Sequence, residues 1–378
     1  MKRIMFLALL SFLLGFTVAW AQFSFGARVM TMYDDNVNNN HLGISDNVAL
    51  FSLQAAREWE NETRNTQLFY SGAYSYFEQV RERAFQYHAM GLVHSRLFGE
   101  DQQTQLNAGF TYSLRRNRES YTFYDHQQVS AYASFKHYLA ERTLGRFSYS
   151  FRYLSFDELN DFNYAEHYSF AQLTQSFTTK TTLILEADLG AKIYTSANFE
   201  EPAGMPRGRG YGGGMIAASR PKVMQFAGIA RLGQGLVAGT GLSLTAQYQL
   251  NLQKESRYLS SEYGVISDDE LFDDHYGYEG PQVNVMLTQL LPAGMVMKIS
   301  GSLQERNYSE RPAYDLAGNQ IANARADNRR GFSAQLEKKT ALLGFSIGLA
   351  YDYIRNLSND SYYDYANNAF TAQLSWGH

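Results

Sequence analysis

Segments in which apolar and polar side chains alternate recur along the chain, and they restrict its fold more than any other feature. In residues 241–253, every even position from Leu242 to Leu252 is apolar, and the odd positions carry Gly, Ser, Thr, Gln or Asn. Globular strands usually have about five or six residues, whereas a strand that crosses a bilayer at a tilt needs about nine to eleven. We therefore predict an all-β protein with membrane-spanning strands. The alternation recurs in residues 23–29, 105–115, 146–153 and 370–376.

The connections between these segments indicate how the strands are arranged. Short and long connections interleave, as they do in up-and-down barrels of the outer membrane. This spacing predicts a single transmembrane antiparallel β-barrel of about 16 strands (14–18), with short periplasmic turns and long extracellular loops. A soluble, Tyr-rich β-sandwich or β-helix is the alternative. The short connections fall near residues 60–63, 98–103, 139–143, 178–181, 233–239, 291–294 and 340–342, and the long ones near 34–46, 78–83, 117–125, 157–164, 195–221, 254–278, 307–328 and 356–365.

The N-terminus predicts secretion. Lys2 and Arg3 precede an apolar run from Ile4 to Val18, and small residues at Ala19 and Ala21 provide a cleavage pattern. We interpret residues 1–21 as a signal peptide and 22–378 as the barrel, with no periplasmic module between them. The chain has no Cys, which excludes an N-terminal lipid anchor, disulfides and thiolate metal sites. A secreted barrel predicts the outer membrane of a Gram-negative bacterium.

Charge and composition narrow the range of partners. Without Lys2 and Arg3, the 33 basic residues fall to 31 against 37 acidic ones, a net charge of −6 that argues against nucleic acid. Tyr and Phe number 28 and 25, which suits the aromatic belts at the two membrane interfaces. We expect the partners to be outer-membrane lipid, lipopolysaccharide and the barrel-insertion machinery.

Charged residues in the polar phase of the alternation are candidates for the lining of a pore. Basic residues outnumber acidic ones among them, and a ring of Arg and Lys lowers the free energy of an anion in a pore. The alternative is that these side chains pair with lumenal acids and simply fill the barrel. The predicted lining residues are Arg28, Arg57, Arg115, Lys136, Arg146, Arg152, Lys192, Arg231, Lys298 and Arg306, with the acids Glu186, Asp188 and Glu337.

Two long connections carry unusual compositions. The stretch from Asp268 to Asp274 is acidic, but its spacing does not match a calcium-binding loop, and we interpret it as a solvated loop. The run from Gly208 to Gly214 lacks the strand and helix of a phosphate-binding loop. We interpret it as a flexible or inward-folded loop, and our hypothesis is that, with Arg207, Arg209 and Arg220 nearby, it narrows the pore.

The eight His residues do not form a catalytic pattern. His88 and His94 share a face of one predicted strand but lie too far apart to bind one ion, and the others show no Ser and acid partners. We therefore predict neither an enzyme nor a cofactor, with an outer-membrane protease or lipase as the alternative.

Two terminal motifs carry a resemblance to known barrels. The segment from Asp352 to Tyr365 resembles the last hairpin of barrels in exopolysaccharide-secretion and surface-lipoprotein assembly systems, and Tyr33-Asp34-Asp35-Asn36-Val37 is similar to their first outer loop. The resemblance implies a barrel that serves an envelope machine with partner proteins. A polar lumen containing small residues such as Gly109 and Ser150 favours a porin-like passage for polar solutes, including anions. Both functions stay open at this point.

Overall fold

The computed structural model describes residues 21–99, 101–196, 198–199, 218–257, 274–309, 311–322, 324–340 and 344–377. Sixteen of its strands form one closed antiparallel barrel. They are β1 (Ala21–Asp34), β2 (Asp46–Asn61), β3 (Arg64–Phe77), β4 (Phe85–Phe98), β5 (Thr104–Asn117), β6 (His126–Ala140), β7 (Thr143–Phe156), β8 (Tyr164–Ser176), β9 (Thr181–Tyr194), β10 (Lys222–Val237), β11 (Thr240–Lys254), β12 (Gly280–Leu291), β13 (Met295–Asn307), β14 (Ala326–Lys339), β15 (Phe345–Ser358) and β16 (Tyr365–Gly377).

Each strand pairs with its neighbours in sequence, and β16 returns to pair with β1. In that closing pair Ala27 lies opposite Trp376, and Tyr33 lies opposite Phe370. Closure satisfies the backbone hydrogen bonds that an open sheet edge would leave unpaired. The predicted all-β fold, up-and-down order and strand number are confirmed.

In the described part of the chain, no helix is both long enough and apolar enough to cross a membrane.

The register separates the wall into two faces. On β1, Phe23, Phe25 and Val29 are 44%, 54% and 41% exposed, and they lie on one face because they are two or four residues apart. Their cross-strand neighbours are apolar or aromatic too, as where Val29 faces Phe51 on β2 and Leu374 on β16. The alternate residues, including Ser24 and Arg28, point to the other side. We assign the apolar face to the outside of the barrel and the polar face to the lumen.

The connections alternate in length as the sequence predicts. Two residues, Glu62 and Thr63, join β2 to β3, whereas residues 35–45 join β1 to β2. One end of the barrel therefore carries only tight turns, and the other carries the long connections. We call these the short-turn end and the long-loop end.

At the long-loop end, the first loop is fastened to the last hairpin. The side-chain amide of Asn367 donates to Asp34 Oδ1 (2.9 Å) and to the Asn36 carbonyl (2.8 Å), and that of Asn368 donates to Asp35 Oδ2 (2.7 Å). The side-chain amide of Asn40 also donates to the Tyr362 hydroxyl (2.9 Å). The first terminal motif is thus hydrogen-bonded to residues that directly follow the second one, because the closure of the barrel pairs β1 with β16.

Asp46 stabilises the second loop. Its carboxylate is buried and accepts backbone N–H bonds from Glu78, Gln79 and Val80, each 2.9 Å long. We expect Asp46→Ala to lower the free energy of unfolding by about 3 kcal/mol, because three donors lose a charged acceptor. Denaturant unfolding in lipid vesicles would measure the loss. Glu62→Gln, in an exposed tight turn, is the control and is expected to change stability by less than about 0.5 kcal/mol.

Candidate functional site

The register places most of the predicted lining residues on the lumenal face. Arg28 lies opposite Ser52, Lys136 opposite Arg146, Lys298 opposite Gln335, and Glu186 opposite Gln172, all within the polar phase. Asp188, Lys192, Arg231, Arg306, Arg115, Arg152 and Glu337 fall on the same face by the same alternation. Their contribution to conduction remains a proposal.

Arg57 does not belong to this set, and its assignment to the lumen is wrong. It lies opposite Phe23 on β1 and Leu68 on β3, on the apolar face. Its guanidinium lies 5.2 Å from the Phe23 ring and 4.8 Å from the Trp59 ring. The alternation did not reveal the face of Arg57, because the neighbouring Ala55 and Ala56 suit either face of the wall. An Arg at a membrane interface can also lie on the apolar face, since its side chain extends along apolar neighbours toward water.

Two of the lumenal cations are neutralised by carboxylates. Arg152 lies 2.5 Å from Glu166, and Arg231 contacts both oxygens of Glu186 at 3.0 and 3.1 Å. The two-pronged geometry of the Arg231 pair favours a fixed orientation over a mobile charge. These residues contribute little net positive charge to the lumen.

Other lumenal cations lie against aromatic rings. The guanidinium of Arg115 is 3.8 Å from the Phe85 ring centre, Lys192 Nζ is 4.3 Å from that of Tyr164, and Arg306 is 4.6 Å from that of Tyr278. A cation over a ring face is stabilised by the ring quadrupole. All three lie toward the long-loop end, so this part of the lumen is a packed collar of charges and rings.

The sequence also overlooked acids on the lumenal face. Glu166 lies opposite Lys192, Asp327 lies opposite Arg306, and Asp352 lies opposite Ser333. Asp327 forms a buried ion pair with Arg325 at 2.5 Å. The same alternation, extended along β8, β14 and β15, would have predicted that these three acids face the lumen. With them included, the lumen as a whole is of mixed charge, and the expectation of a generally basic interior is not confirmed.

Lys136 and Arg146 differ from the paired cations. They lie directly opposite each other on β6 and β7, flanked in the same row by Gln105 and Gln172. Arg146 donates to Ser134 Oγ (3.0 Å) and has its guanidinium 5.1 Å from the Phe170 ring centre. Within the described residues, neither cation has a carboxylate partner. The nearest acid along the row is Glu186, which Arg231 already holds.

Arg28 and Lys298 also lack an ion pair among the residues that the structure describes, and both are exposed to the lumen. Arg28 borders a cavity of about 710 Å³ whose lining includes Ser24, Ser52, Gln54 and Ser71. Small hydroxyl and amide side chains leave room for water in this region. Arg28 therefore borders open space rather than packed protein.

Near the long-loop end, residues 274–279 enter the lumen, and we call them the docked segment. Amide side chains on β10 and β11 donate to its backbone carbonyls: Gln225 to His275 (2.7 Å), Gln249 to Tyr278 (2.9 Å) and Asn251 to Tyr276 (3.0 Å). A cavity of about 200 Å³ lies between this segment and the wall. The docked segment therefore narrows one side of the lumen. No pattern in the sequence predicts this contact.

Tyr276 anchors the docked segment. It is 2% exposed, and its hydroxyl donates to Glu166 Oε1 at 2.5 Å. Burial and the neighbouring Glu166 carboxylate raise the pKa of Tyr276, so the phenol stays protonated and remains a donor at neutral pH. Its ring occupies the space above Gly190, where an added Cβ would come within 2.4 Å of the hydroxyl. Arg152, Glu166 and Tyr276 thus form a continuous contact from wall to segment.

The loops expected to carry special roles lie largely outside the described residues. This applies to the glycine-rich run 208–214, to the acidic residues 268–273, and to the predicted signal peptide except Ala21. The predicted narrowing of the pore by the glycine-rich run remains a prediction.

Four histidines lie on the outer face. Tyr70 and Tyr149 hydroxyls lie 2.7 Å from the Nδ1 atoms of His88 and His167, and the Thr66 and Thr104 hydroxyls lie 2.8 Å from those of His94 and His137. Among the described residues, no three His, Cys, Asp or Glu side chains lie close enough together to bind a metal ion.

Comparison with solved structures identifies the architecture. The outer membrane protein opdK from Pseudomonas aeruginosa superposes with a TM-score of 0.50 over 94% of this chain and 99% of that chain, at 10% identity. Pseudomonas aeruginosa OpdL gives 0.52 over 96% and 99% at 10% identity, and Acinetobacter baumannii OccAB1 gives 0.52 over 95% and 96% at 11% identity. The chain is an outer-membrane β-barrel. Its long-loop end is accordingly extracellular and its short-turn end periplasmic.

A family model adds a second similarity. The model described as surface lipoprotein assembly modifier matches residues 241–377 of the barrel, which span β11 to β16. The matched part includes the last hairpin, where the sequence resemblance was noted. No curated protein matches the barrel in sequence.

Proposed function

We propose that the barrel lets small polar solutes cross the outer membrane, and that its lumen favours anions. The observation that carries the preference is the Lys136–Arg146 pair. Directly opposed like charges destabilise a sheet. An anion bound between Lys136 and Arg146 would offset their repulsion. Solvent and passing anions can reach the pair because Arg146 is exposed to the lumen.

The geometry supports a local basis for selectivity. The charges of Arg152 and Arg231 are compensated by Glu166 and Glu186. Lys136, Arg146, Arg28 and Lys298 have no carboxylate partner among the described residues, and cations of this kind in a pore lower the energy of an anion relative to a cation. The likeness in fold to other outer-membrane barrels supports a channel but does not specify a solute.

Planar-bilayer recording of the refolded protein tests this proposal. With a KCl gradient across the bilayer, we expect steady conductance and a reversal potential displaced toward the equilibrium potential of chloride. A reversal potential displaced toward the equilibrium potential of potassium would refute the anion preference. A silent, correctly folded protein would refute passive passage.

A second candidate is a barrel of an envelope export or assembly machine. The match of residues 241–377 to the surface lipoprotein assembly modifier model favours it. Under this function we expect envelope proteins, lipoproteins in particular, to co-purify with the barrel after mild crosslinking. Recovery of the barrel alone, together with steady conductance, would favour the first candidate.

We propose further that residues 1–21 are removed on secretion and that the barrel is not an enzyme. Edman sequencing of the mature protein should begin at Gln22. His88, His94, His137 and His167 lie on the lipid-facing wall, so these four side chains take no part in chemistry inside the lumen.

A further inference from the structure

A second pair of opposed cations lies on the outside of the barrel. Arg330 on β14 and Arg355 on β15 are direct cross-strand partners. Arg330 also lies opposite Leu303 on β13, and Leu303 is 59% exposed on the lipid-facing side. The register therefore turns both guanidiniums away from the lumen and toward the lipid.

The pair stands at the level of the extracellular leaflet. Arg330 lies near the start of β14 (Ala326–Lys339) and Arg355 near the end of β15 (Phe345–Ser358), and both of these strand ends are extracellular. Below them, toward the membrane centre, the outer face continues with Phe332, Tyr351 and Phe370. Aromatic rings of this kind occupy the level of the lipid headgroups.

The two arginines differ in their existing partners. Arg355 forms an ion pair with Asp364. Arg330 is exposed and forms no ion pair with any residue that the structure describes. By contrast Arg116, which faces outward at the same end on β5, is bound to Asp125 and Asp157.

A groove adjoins Arg330. It has a volume of about 460 Å³, and its outward-facing lining comprises Pro281, Val283, Leu303, Glu305, Asn328 and Arg330. Glu305 is exposed and stands beside Asn328, nearer the loops than Arg330. The groove therefore places Arg330 in one cross-strand row with the apolar side chains of Val283 and Leu303, and the Glu305 carboxylate and the Asn328 amide lie in the row nearer the loops.

We propose that this surface binds the phosphorylated headgroup of lipopolysaccharide. A lipid A phosphate would take the paired donors of Arg330 and Arg355, and an acyl chain would lie along Val283 and Leu303. Guanidinium forks match phosphate oxygens in two-pronged geometry, and Arg330 forms no ion pair with a described residue that would compete with a phosphate. Lipopolysaccharide is the phosphorylated lipid of the extracellular leaflet, which is the level at which the pair lies.

Native mass spectrometry of the detergent-solubilised protein, titrated with purified lipid A in the presence of EDTA, tests the proposal. We expect Arg330→Gln/Arg355→Gln to weaken lipid A binding roughly tenfold or more, and Arg330→Gln alone, which leaves the Arg355–Asp364 pair intact, to account for much of the loss. Both positions are on the surface, and circular dichroism of each variant should show the native strand content.

The matched control is Arg64→Gln/Arg96→Gln. These arginines are also opposed across two strands on the outer face, but they lie at the periplasmic end. We expect this control to leave lipid A binding unchanged. Equal binding by wild type and the Arg330/Arg355 variant would overturn the proposal, as would an equal loss in the control or an equal affinity of the wild type for phosphatidylglycerol.

Discussion

Replacing Lys136 and Arg146 together by glutamate is expected to reverse the proposed preference of the barrel for anions into one for cations. The two side chains face each other across β6 and β7, and the flanking Gln105 and Gln172 cannot compensate a change of charge. Two charges at about 4 Å in water interact by about 1 kcal/mol, so reversing two of them should change the chloride-to-potassium permeability ratio by about tenfold or more. The reversal potential in a KCl gradient should change sign.

The control for this prediction carries the same change of charge on the other face of the wall. Arg64→Glu/Arg96→Glu alters two opposed arginines outside the lumen, so the reversal potential should stay as in the wild type. If both double variants shift the potential equally, net charge rather than lumenal position determines selectivity. If neither shifts it, Lys136 and Arg146 do not face the ion path.

The second large effect is expected from releasing the docked segment. Gly190→Val would place side-chain atoms where the Tyr276 ring now lies, since even a Cβ there comes within 2.4 Å of the hydroxyl. Tyr276 would lose its place beside Glu166, and the segment would leave the lumenal wall. We expect single-channel conductance to rise roughly twofold, because a constriction contributes most of the resistance of a pore.

Two further variants separate a released segment from a damaged wall. Tyr276→Phe removes only the hydroxyl that donates to Glu166, and we expect a smaller rise in conductance with more frequent switching between levels. Gly228→Ala, on the outer face of β10 where an added Cβ meets only the Phe226 ring at 4.0 Å, should leave conductance unchanged. A Gly190→Val protein with wild-type conductance would show that the segment does not limit the flow.

Much of the wall could be predicted from the sequence because strand alternation is a local property. The two-residue period places Lys136, Arg146 and Lys298 on the polar face without knowledge of any other strand. The interleaved connection lengths likewise predict the strand number, since a closed wall needs a short turn after each long loop. The method fails at Arg57, where adjacent alanines leave the local phase ambiguous.

Small inner residues show a different limit. Gly109 was expected to leave room for water, but its added Cβ would come within 2.4 Å of the Tyr132 ring, so the neighbouring strand fills that space. Whether a small residue opens the lumen depends on the side chain opposite it. The pairing of β5 with β6, which sets Gly109 against Tyr132, is not encoded in either segment alone.

The barrel fold, the number of strands and the inward-facing side chains of most strands could be predicted from the order of amino acids, because they depend on periodicity and turn spacing. The cancelling of lumenal charges, the docking of residues 274–279 inside the barrel and the pairing of Arg330 with Arg355 outside it became visible in the folded molecule. Those outcomes depend on the register between strands and on contacts between residues far apart in sequence. Neither leaves a local trace in the order of amino acids.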